Sequence, residues 1–156
     1  MEWTSDQAFT LDGVAYSSMV KGVGMMVFKP RHAIEQYQAM IEQAQPRRIV
    51  ELGIYNGGSA ALLAQIARPE RLVAIDNKED CPALSAFLAA HPDLPVSAYY
   101  GVDQADTHAL DRIMAAEFDG PVDLVIDDAS HLEPQSRASF NRLFPHLRPS
   151  GLYVIE

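Results

Sequence analysis

Six acidic side chains sit where apolar runs of the chain end: Glu51, Asp76, Asp103, Asp127, Asp128 and Glu156. His131 follows Asp128 by three residues. Carboxylates accept hydrogen bonds from hydroxyl groups and ligate hard cations. Histidine titrates near neutrality, which makes it the natural base for a weakly acidic hydroxyl. Asp128 and His131, three apart just past one strand end, can face the same small volume. A cation bridging Asp128 and Glu156 would lower the pKa of a hydroxyl placed there. Oxygen ligands of this kind point to magnesium or calcium rather than zinc. The set is therefore suited to activating a hydroxyl.

A second chemistry lies upstream, in Arg48-Ile49-Val50-Glu51-Leu52-Gly53-Ile54-Tyr55-Asn56-Gly57-Gly58-Ser59. A short apolar run passes through a glycine-rich turn into Ala60–Ile66, which reads as a helix. Glycine lets backbone approach a guest closely, and the N–H groups opening a helix point at it. The stretch reads as a nucleoside-cofactor loop. Its spacing lacks the G-x-G pair that a pyrophosphate needs, and no Gly-Lys-Ser/Thr follows as in a P-loop. Glu51, ahead of the first glycine, suits a guest with a cationic amino group better than one with a diphosphate. Asp76, one strand–helix–strand unit later, can accept hydrogen bonds from ribose hydroxyls.

These residues need a scaffold that brings strand ends to one edge. Strands are expected at Ile49–Gly53, Arg71–Asp76, Leu94–Gly101, Val122–Asp128 and Leu152–Glu156. Helices are expected at Ser59–Ala67, Pro82–Ala90, Asp106–Phe118 and Pro134–Phe144, with Arg148–Gly151 as a turn. A further helix over His32–Ile41, bounded by Pro30 and Pro46, precedes them. This alternation predicts an α/β, Rossmann-like, doubly wound parallel sheet in the order 3-2-1-4-5. Ligands of such sheets bind outside the carboxyl ends of the strands. Residues 31–156 form the expected core. Residues 1–30, with scattered apolar positions and a short candidate strand at Met25–Phe28, are expected to be a loosely packed arm or a lid. An apolar strand at Leu152–Glu156 would be an unprotected sheet edge. The expectation is that the natural protein continues beyond Glu156 into a final hairpin, or that another element covers this edge.

The bulk composition narrows the partners. A chain of 156 residues with 48% apolar side chains can bury one core. A net charge of −9 argues against a nucleic-acid partner. One cysteine, Cys81, allows no intramolecular disulfide. No secretory signal opens the chain and no apolar run is long enough to span a bilayer. The expectation is a cytoplasmic protein with a small-molecule substrate and no membrane partner; a homo-oligomer is compatible with it.

Glu51-x-Gly53-x-x-x-Gly57-x-Ser59, followed by a strand ending in Asp76, resembles the first motif of class I S-adenosylmethionine-dependent methyltransferases. Val122-Asp123-Leu124-Val125-Ile126-Asp127-Asp128-Ala129-Ser130-His131 and Gly151–Glu156 are similar to the macrolide-sugar and rhamnosyl O-methyltransferase branch, which is close to cephalosporin hydroxylase-like proteins. The resemblance covers roughly residues 20–156. It implies that Glu51, Gly53 and Gly57 line the methionine part of the cofactor, with Tyr55, Asn56, Gly58 and Ser59 in the same loop. It gives Asp76 to the ribose, Asp103 and Gln104 to the region of the adenine, and Asp127 to the cofactor side. Asp128 would ligate magnesium and His131 would be the general base. Glu156 matches the first acid of a Val-Ile-Glu-Asp ending, whose second acid is also a metal ligand. The implied reaction is methyl transfer from S-adenosylmethionine to a hydroxyl of a sugar or small natural product, with Mg2+ assisting. Two rival readings are a non-catalytic cofactor-binding fragment and an NAD-dependent oxidoreductase; the missing G-x-G counts against the latter.

Overall fold

Short runs rich in Val, Ile and Leu alternate with helical stretches through most of the chain, and the elements follow that alternation. The computed structural model describes residues 1–156. The chain divides into two units. One comprises Met1–Gln45, Tyr55–Arg68 and Cys81–Leu94; the other comprises Pro46–Ile54, Pro69–Asp80 and Pro95–Glu156.

The first unit opens with a four-stranded sheet: β1 (Glu2–Ser5), β2 (Ala8–Leu11), β3 (Val14–Ser18) and β4 (Met25–Val27), in that order. The first three strands pair antiparallel, and β4 pairs parallel to β3. Asp12 (φ 48°) and Gly13 (φ 80°) join β2 to β3. Positive φ at both central residues is what a two-residue type I′ hairpin requires. Phe9, Tyr16 and Val27 are buried, and the rings of Phe9 and Tyr16 stack 4.9 Å apart. Residues 1–30 are thus a packed sheet and not a loose arm. The hairpin closes one face over Phe9 and Tyr16, which supplies the buried apolar area that an arm would lack. Burial pushes the Tyr16 phenol well above its ordinary pKa, and the charge of Asp12 adds to this. Its hydroxyl donates to Gln65 Oε1 at 2.5 Å.

The same unit holds α1 (Arg31–Ala44), α2 (Gly58–Ala67) and α3 (Pro82–Ala90). The apolar stripe predicted on α1 buries Ile34 and Ile41. His32 is an exposed residue of the first turn. α3 starts with Pro82 in its first turn, where proline's missing N–H costs nothing.

The second unit is a five-stranded sheet of β5 (Arg48–Leu52), β6 (Arg71–Ile75), β7 (Val96–Tyr99), β8 (Val122–Asp127) and β9 (Leu147–Ile155). The order is β7-β6-β5-β8-β9 and every pairing is parallel. Counted among these five strands, that is the order 3-2-1-4-5. Side chains on both faces of β5, β6 and β8 are buried, as in parallel sheets generally. Val50, Leu52, Val73, Ile75 and Val125 pack with Leu110, Ile113 and Met114 of α4 (Thr107–Glu117) and Leu143 of α5 (Glu133–Leu143). The order reverses between β5 and β8, so the ligand edge of this sheet lies at the C-terminal ends of those two strands.

The turn expected at Arg148–Gly151 proves to be a bulge inside a longer strand. Leu147 already pairs with Val122, and regular pairing resumes at Leu152 opposite Leu124. Ser150 takes a left-handed conformation (φ 65°) within the bulge. Asp123 ties it down: its carboxylate accepts from the backbone N–H groups of Arg47 and Arg48, each at 2.8 Å, and from the Arg148 guanidinium. Burial works against the Asp123 charge, but the N–H groups of Arg48 and Arg47 and the Arg148 guanidinium outweigh it and hold the carboxyl below its usual range.

A folded-state pKa below the unfolded one contributes stability that is present above the unfolded value, about 3.9, and is lost as pH falls through the folded value. Asp123→Asn is therefore expected to cost about 1–3 kcal/mol at pH 7, because two backbone N–H groups and the Arg148 guanidinium lose a charged acceptor. The variant should also lose this share of the decline in stability below pH 4. Urea unfolding of both proteins at pH 7 and pH 3 measures it; a difference of the same size at both pH values would contradict the assignment.

Candidate functional site

Glu51 and Gly53 close β5. Glu51 is fully buried, opposite Ala74 of β6 and Ile126 of β8. Gly53 has φ 99°, and a Cβ built on it would lie 2.1 Å from the carbonyl oxygen of Asp128. Only glycine lets the end of β8 lie this close to the end of β5. Asp128 N–H donates to the Leu52 carbonyl at 2.9 Å across the same contact. The glycine that opens the loop thus also seats the strand end that carries Asp128.

Asp76 follows β6. Its Oδ2 accepts from Ile54 N–H at 2.7 Å and its Oδ1 from Lys78 N–H at 2.9 Å. Asp76 therefore fixes the exit of the loop from the sheet. Asp103 is exposed, and its Oδ1 accepts from Ala105 N–H at 2.8 Å in the turn before α4.

From Tyr55 onward the loop belongs to the first unit, where β4 braces it. A Cβ on Gly58 would lie 1.9 Å from the Met26 carbonyl oxygen. Asn56 Nδ2 contacts Met26 Sδ at 3.4 Å. The rings of Tyr55 and Phe28, both exposed, meet at 5.8 Å. Gly57 (φ 78°) lies against Leu84 and precedes α2. No side chain caps α2. The N–H groups of its first turn, from Gly58 and Ser59 onward, have no partner within the helix and can meet a ligand.

The residues expected to activate a hydroxyl lie at the ends of β8 and β9 and just past them. His131 takes a left-handed backbone (φ 55°), unusual for a residue with a Cβ and often a mark of a functional site. Its Nδ1 lies 3.0 Å from the backbone carbonyl of Glu156. A carbonyl can only accept, so Nδ1 carries the proton and the neutral ring presents a lone pair at Nε2. That Nε2 lies 3.6 Å from Asp128 Oδ1. His131 does not cap α5, whose N-cap position is Leu132 with no side-chain bond.

Register brings the two acids expected to ligate a metal to neighbouring strand ends. Asp127 pairs with Ile155, and Glu156 N–H donates to the Asp127 carbonyl at 3.0 Å. Asp128 and Glu156 thus leave adjacent strands at the same level. No three His, Cys, Asp or Glu side chains gather as a metal-binding group. Two carboxylates alone suit magnesium, which keeps several waters and takes one or two protein carboxylates.

Asp127 and Gln104 turn inward. Asp127 is 1% exposed and Gln104 6%. Gln104 Nε2 donates to the Asp127 carboxylate at 3.0 and 3.2 Å, and Ser139 Oγ donates to its Oδ2 at 2.8 Å. Ser139 was not anticipated; the signal was a serine four residues before Leu143 on the buried stripe of α5. Met26 and Phe28 were not anticipated either, since nothing local in Met25–Phe28 announces its partner loop. Beside Asp127, burial pushes the Tyr153 phenol up.

A cleft of about 440 Å³ opens beside His131 and Glu156, lined by Phe140, Ile155, Ser136, Arg137 and Glu133. It is within the size range of small-molecule sites, about 300–1,000 Å³. No helix is long and apolar enough to cross a membrane.

Residues 50–156 match a family model described as methyltransferase domain. The chain is similar to mycinamicin VI 2''-O-methyltransferase of Micromonospora griseorubida, with 59% identity over 54 residues, 35% of this chain and 13% of that enzyme. It is similar to the rhamnosyl O-methyltransferase of Mycobacterium bovis, with 25% identity over 138 residues, 86% of this chain and 55% of that enzyme. Among solved structures it is similar to the MycE methyltransferase of the mycinamycin biosynthetic pathway in complex with Mg, SAH and mycinamycin VI. The TM-score is 0.57 and the identity 33%, over 81% of this chain and 33% of that one. The chain thus spans less than two thirds of the length of each of these relatives.

Proposed function

The chain belongs to the methyltransferase domain family, and on that footing we propose that it transfers a methyl group from S-adenosylmethionine to a hydroxyl of a sugar on a small natural product, with magnesium assisting. The observation that carries this reading is the His131 ring, with Nδ1 tied to the Glu156 carbonyl and Nε2 turned toward Asp128. The relatives that act on sugar hydroxyls support the acceptor class. MycE, bound to Mg and SAH, supports the cofactors.

Bound S-adenosylmethionine supplies an electrophilic methyl group on a sulfonium, and magnesium lowers the pKa of the acceptor hydroxyl. The residues of this chain do the rest. Glu51 offers a buried carboxyl group, which suits the amino group of the methionine part. Asp76, oriented by the N–H groups of Ile54 and Lys78, accepts from the ribose hydroxyls. The loop Tyr55-Asn56-Gly57-Gly58-Ser59 and the N–H groups opening α2 offer close backbone approach and hydrogen-bond donors to the cofactor. Asp128 and Glu156 hold the cation. The cleft beside His131 presents the acceptor hydroxyl, with Phe140 and Ile155 as its apolar wall. His131 Nε2 would take the hydroxyl proton as the methyl group passes to the oxygen, its C–S bond breaks and S-adenosylhomocysteine leaves. The new imidazolium then faces the Asp128 carboxylate. Holding donor and acceptor in line contributes several kcal/mol, roughly 7–11 in the best cases.

The test is incubation with S-adenosylmethionine, Mg2+ and mycinamycin VI as acceptor. Release of S-adenosylhomocysteine together with a methylated product is the expected result; no product at any Mg2+ concentration would contradict the reading. In the same preparation, Asp128→Ala should weaken Mg2+ binding by at least about tenfold, or 1.4 kcal/mol, while S-adenosylhomocysteine affinity stays. Unchanged Mg2+ affinity would remove the metal role of Asp128 and leave the cofactor role standing.

A further inference from the structure

The loop from Asp128 to His131 carries the proposed base, yet its ring is 59% exposed and its backbone conformation is one that residues with a Cβ avoid. Something must hold it. Ser130 N–H donates to Gln104 Oε1 at 2.9 Å. On the other side of the same amide, Gln104 Nε2 donates to both oxygens of Asp127. Chemistry sets the direction of this chain of bonds. A carboxylate only accepts, so the NH2 end of Gln104 must face Asp127 and its oxygen must face Ser130. A flipped amide would set oxygen against carboxylate and leave the Ser130 N–H opposite a donor. Ser139, fully buried, holds the carboxylate itself: its Oγ donates to Asp127 Oδ2 and lies 3.3 Å from Gln104 Nε2. Three buried polar side chains, drawn from the turn before α4, the end of β8 and the middle of α5, thus converge on one backbone N–H. That N–H belongs to the residue immediately before the base.

We propose that Gln104, locked by Asp127 and Ser139, is a positioning residue that pins Ser130 and so keeps His131 in the geometry of a base. This rests on the reading of His131 as the base. It also gives Gln104 and Asp127 work inside the protein, in place of the cofactor contacts that the family resemblance implies for them. The relay is buried, acts at one remove from the reacting atoms and touches neither donor nor acceptor.

The test compares Gln104→Met and the milder Ser139→Ala with wild type in the full chain, using mycinamycin VI as acceptor and S-adenosylhomocysteine as binding probe. Gln104→Met should lower kcat by about 100-fold, the scale of a misplacement of about 1 Å at the reacting centre. KM and the S-adenosylhomocysteine dissociation constant should stay within about twofold. Hydrogen exchange at the Ser130 amide should accelerate by at least about tenfold, because the bond that protects it is gone. Ser139→Ala should show the same pattern, reduced, and keeps the test open if Gln104→Met does not fold. Adding Gln104→Met to His131→Ala should cost little further kcat, since both changes remove one function. Weakened S-adenosylhomocysteine binding with kcat retained would overturn the proposal and return Gln104 to the cofactor. Unchanged Ser130 exchange in Gln104→Met would overturn it whatever His131 does. Failure of the base reading shows separately, as full activity in His131→Ala.

Discussion

Replacing His131 with alanine is expected to lower kcat by about 10²–10⁴-fold, the usual contribution of a positioned general base, while S-adenosylhomocysteine binding stays at the wild-type level. The expectation follows from which nitrogen is free. The Glu156 carbonyl accepts a hydrogen bond from Nδ1–H, so Nε2 is the basic atom, and it is the atom that faces Asp128. The side chain contributes little to packing, being 59% exposed, so its removal should leave the fold intact. Removing the ring should leave KM unchanged, because a base acts on the proton in the transition state and not on the bound ground state. Asparagine at 131 would tolerate the left-handed backbone better than alanine, which makes His131→Asn the cleaner control for the loop. Single-turnover kinetics with mycinamycin VI, alongside calorimetry with S-adenosylhomocysteine, separate chemistry from binding. Full turnover in both variants would mean that another group removes the proton.

The second large effect belongs to Gly53. In Gly53→Ala the new methyl group would lie 2.1 Å from the Asp128 oxygen, 2.7 Å from its carbonyl carbon and 3.1 Å from the Ala129 Cα. All three are backbone atoms that cannot rotate aside. The residue would also have to keep φ near 99°. Strain at such a backbone costs about 1–3 kcal/mol and overpacking adds about 1–3 kcal/mol more. The expected loss is therefore roughly 3 kcal/mol or above in urea unfolding. Protein that still folds must displace the end of β8, so it should lose activity through Asp128 and His131 in addition to any loss of cofactor affinity. A Gly53→Ala protein with wild-type stability and turnover would contradict the close approach of the two strand ends.

The parallel sheet was legible because its strands are buried on both faces. Leu72–Ile75 and Leu124–Ile126 read as unbroken apolar runs, Ile49–Leu52 reads as one interrupted only by Glu51, and the helical stretches between them forced crossovers. The family was legible in Glu51–Ser59 and in Asp127–His131, and the match over residues 50–156 agrees with both. The sheet of residues 2–27 was missed, although Asp12-Gly13 between Ala8–Leu11 and Val14–Ser18 is a strong short-range hairpin signal; nearby Gly22 and Gly24 obscured it. The bulge in β9 was read as a turn because what continues the strand through it is distant in sequence. Asp123 holds Arg47, Arg48 and Arg148 at once, and periodicity carries no trace of that. The same holds for Gln104, Asp127 and Ser139. Their types announce hydrogen bonding, but only the fold decides that they satisfy one another.

The central claim is that the loop from Glu51 to Ser59, with Asp76, takes S-adenosylmethionine. Calorimetric titration of the chain with S-adenosylhomocysteine and, separately, with NAD tests it most directly. Saturable binding of S-adenosylhomocysteine with no heat from NAD is the predicted result, and Asp76→Ala should weaken that binding by about tenfold or more, the loss of about 1.4 kcal/mol from a charge-assisted hydrogen bond. Tight NAD binding with none for S-adenosylhomocysteine would contradict the account.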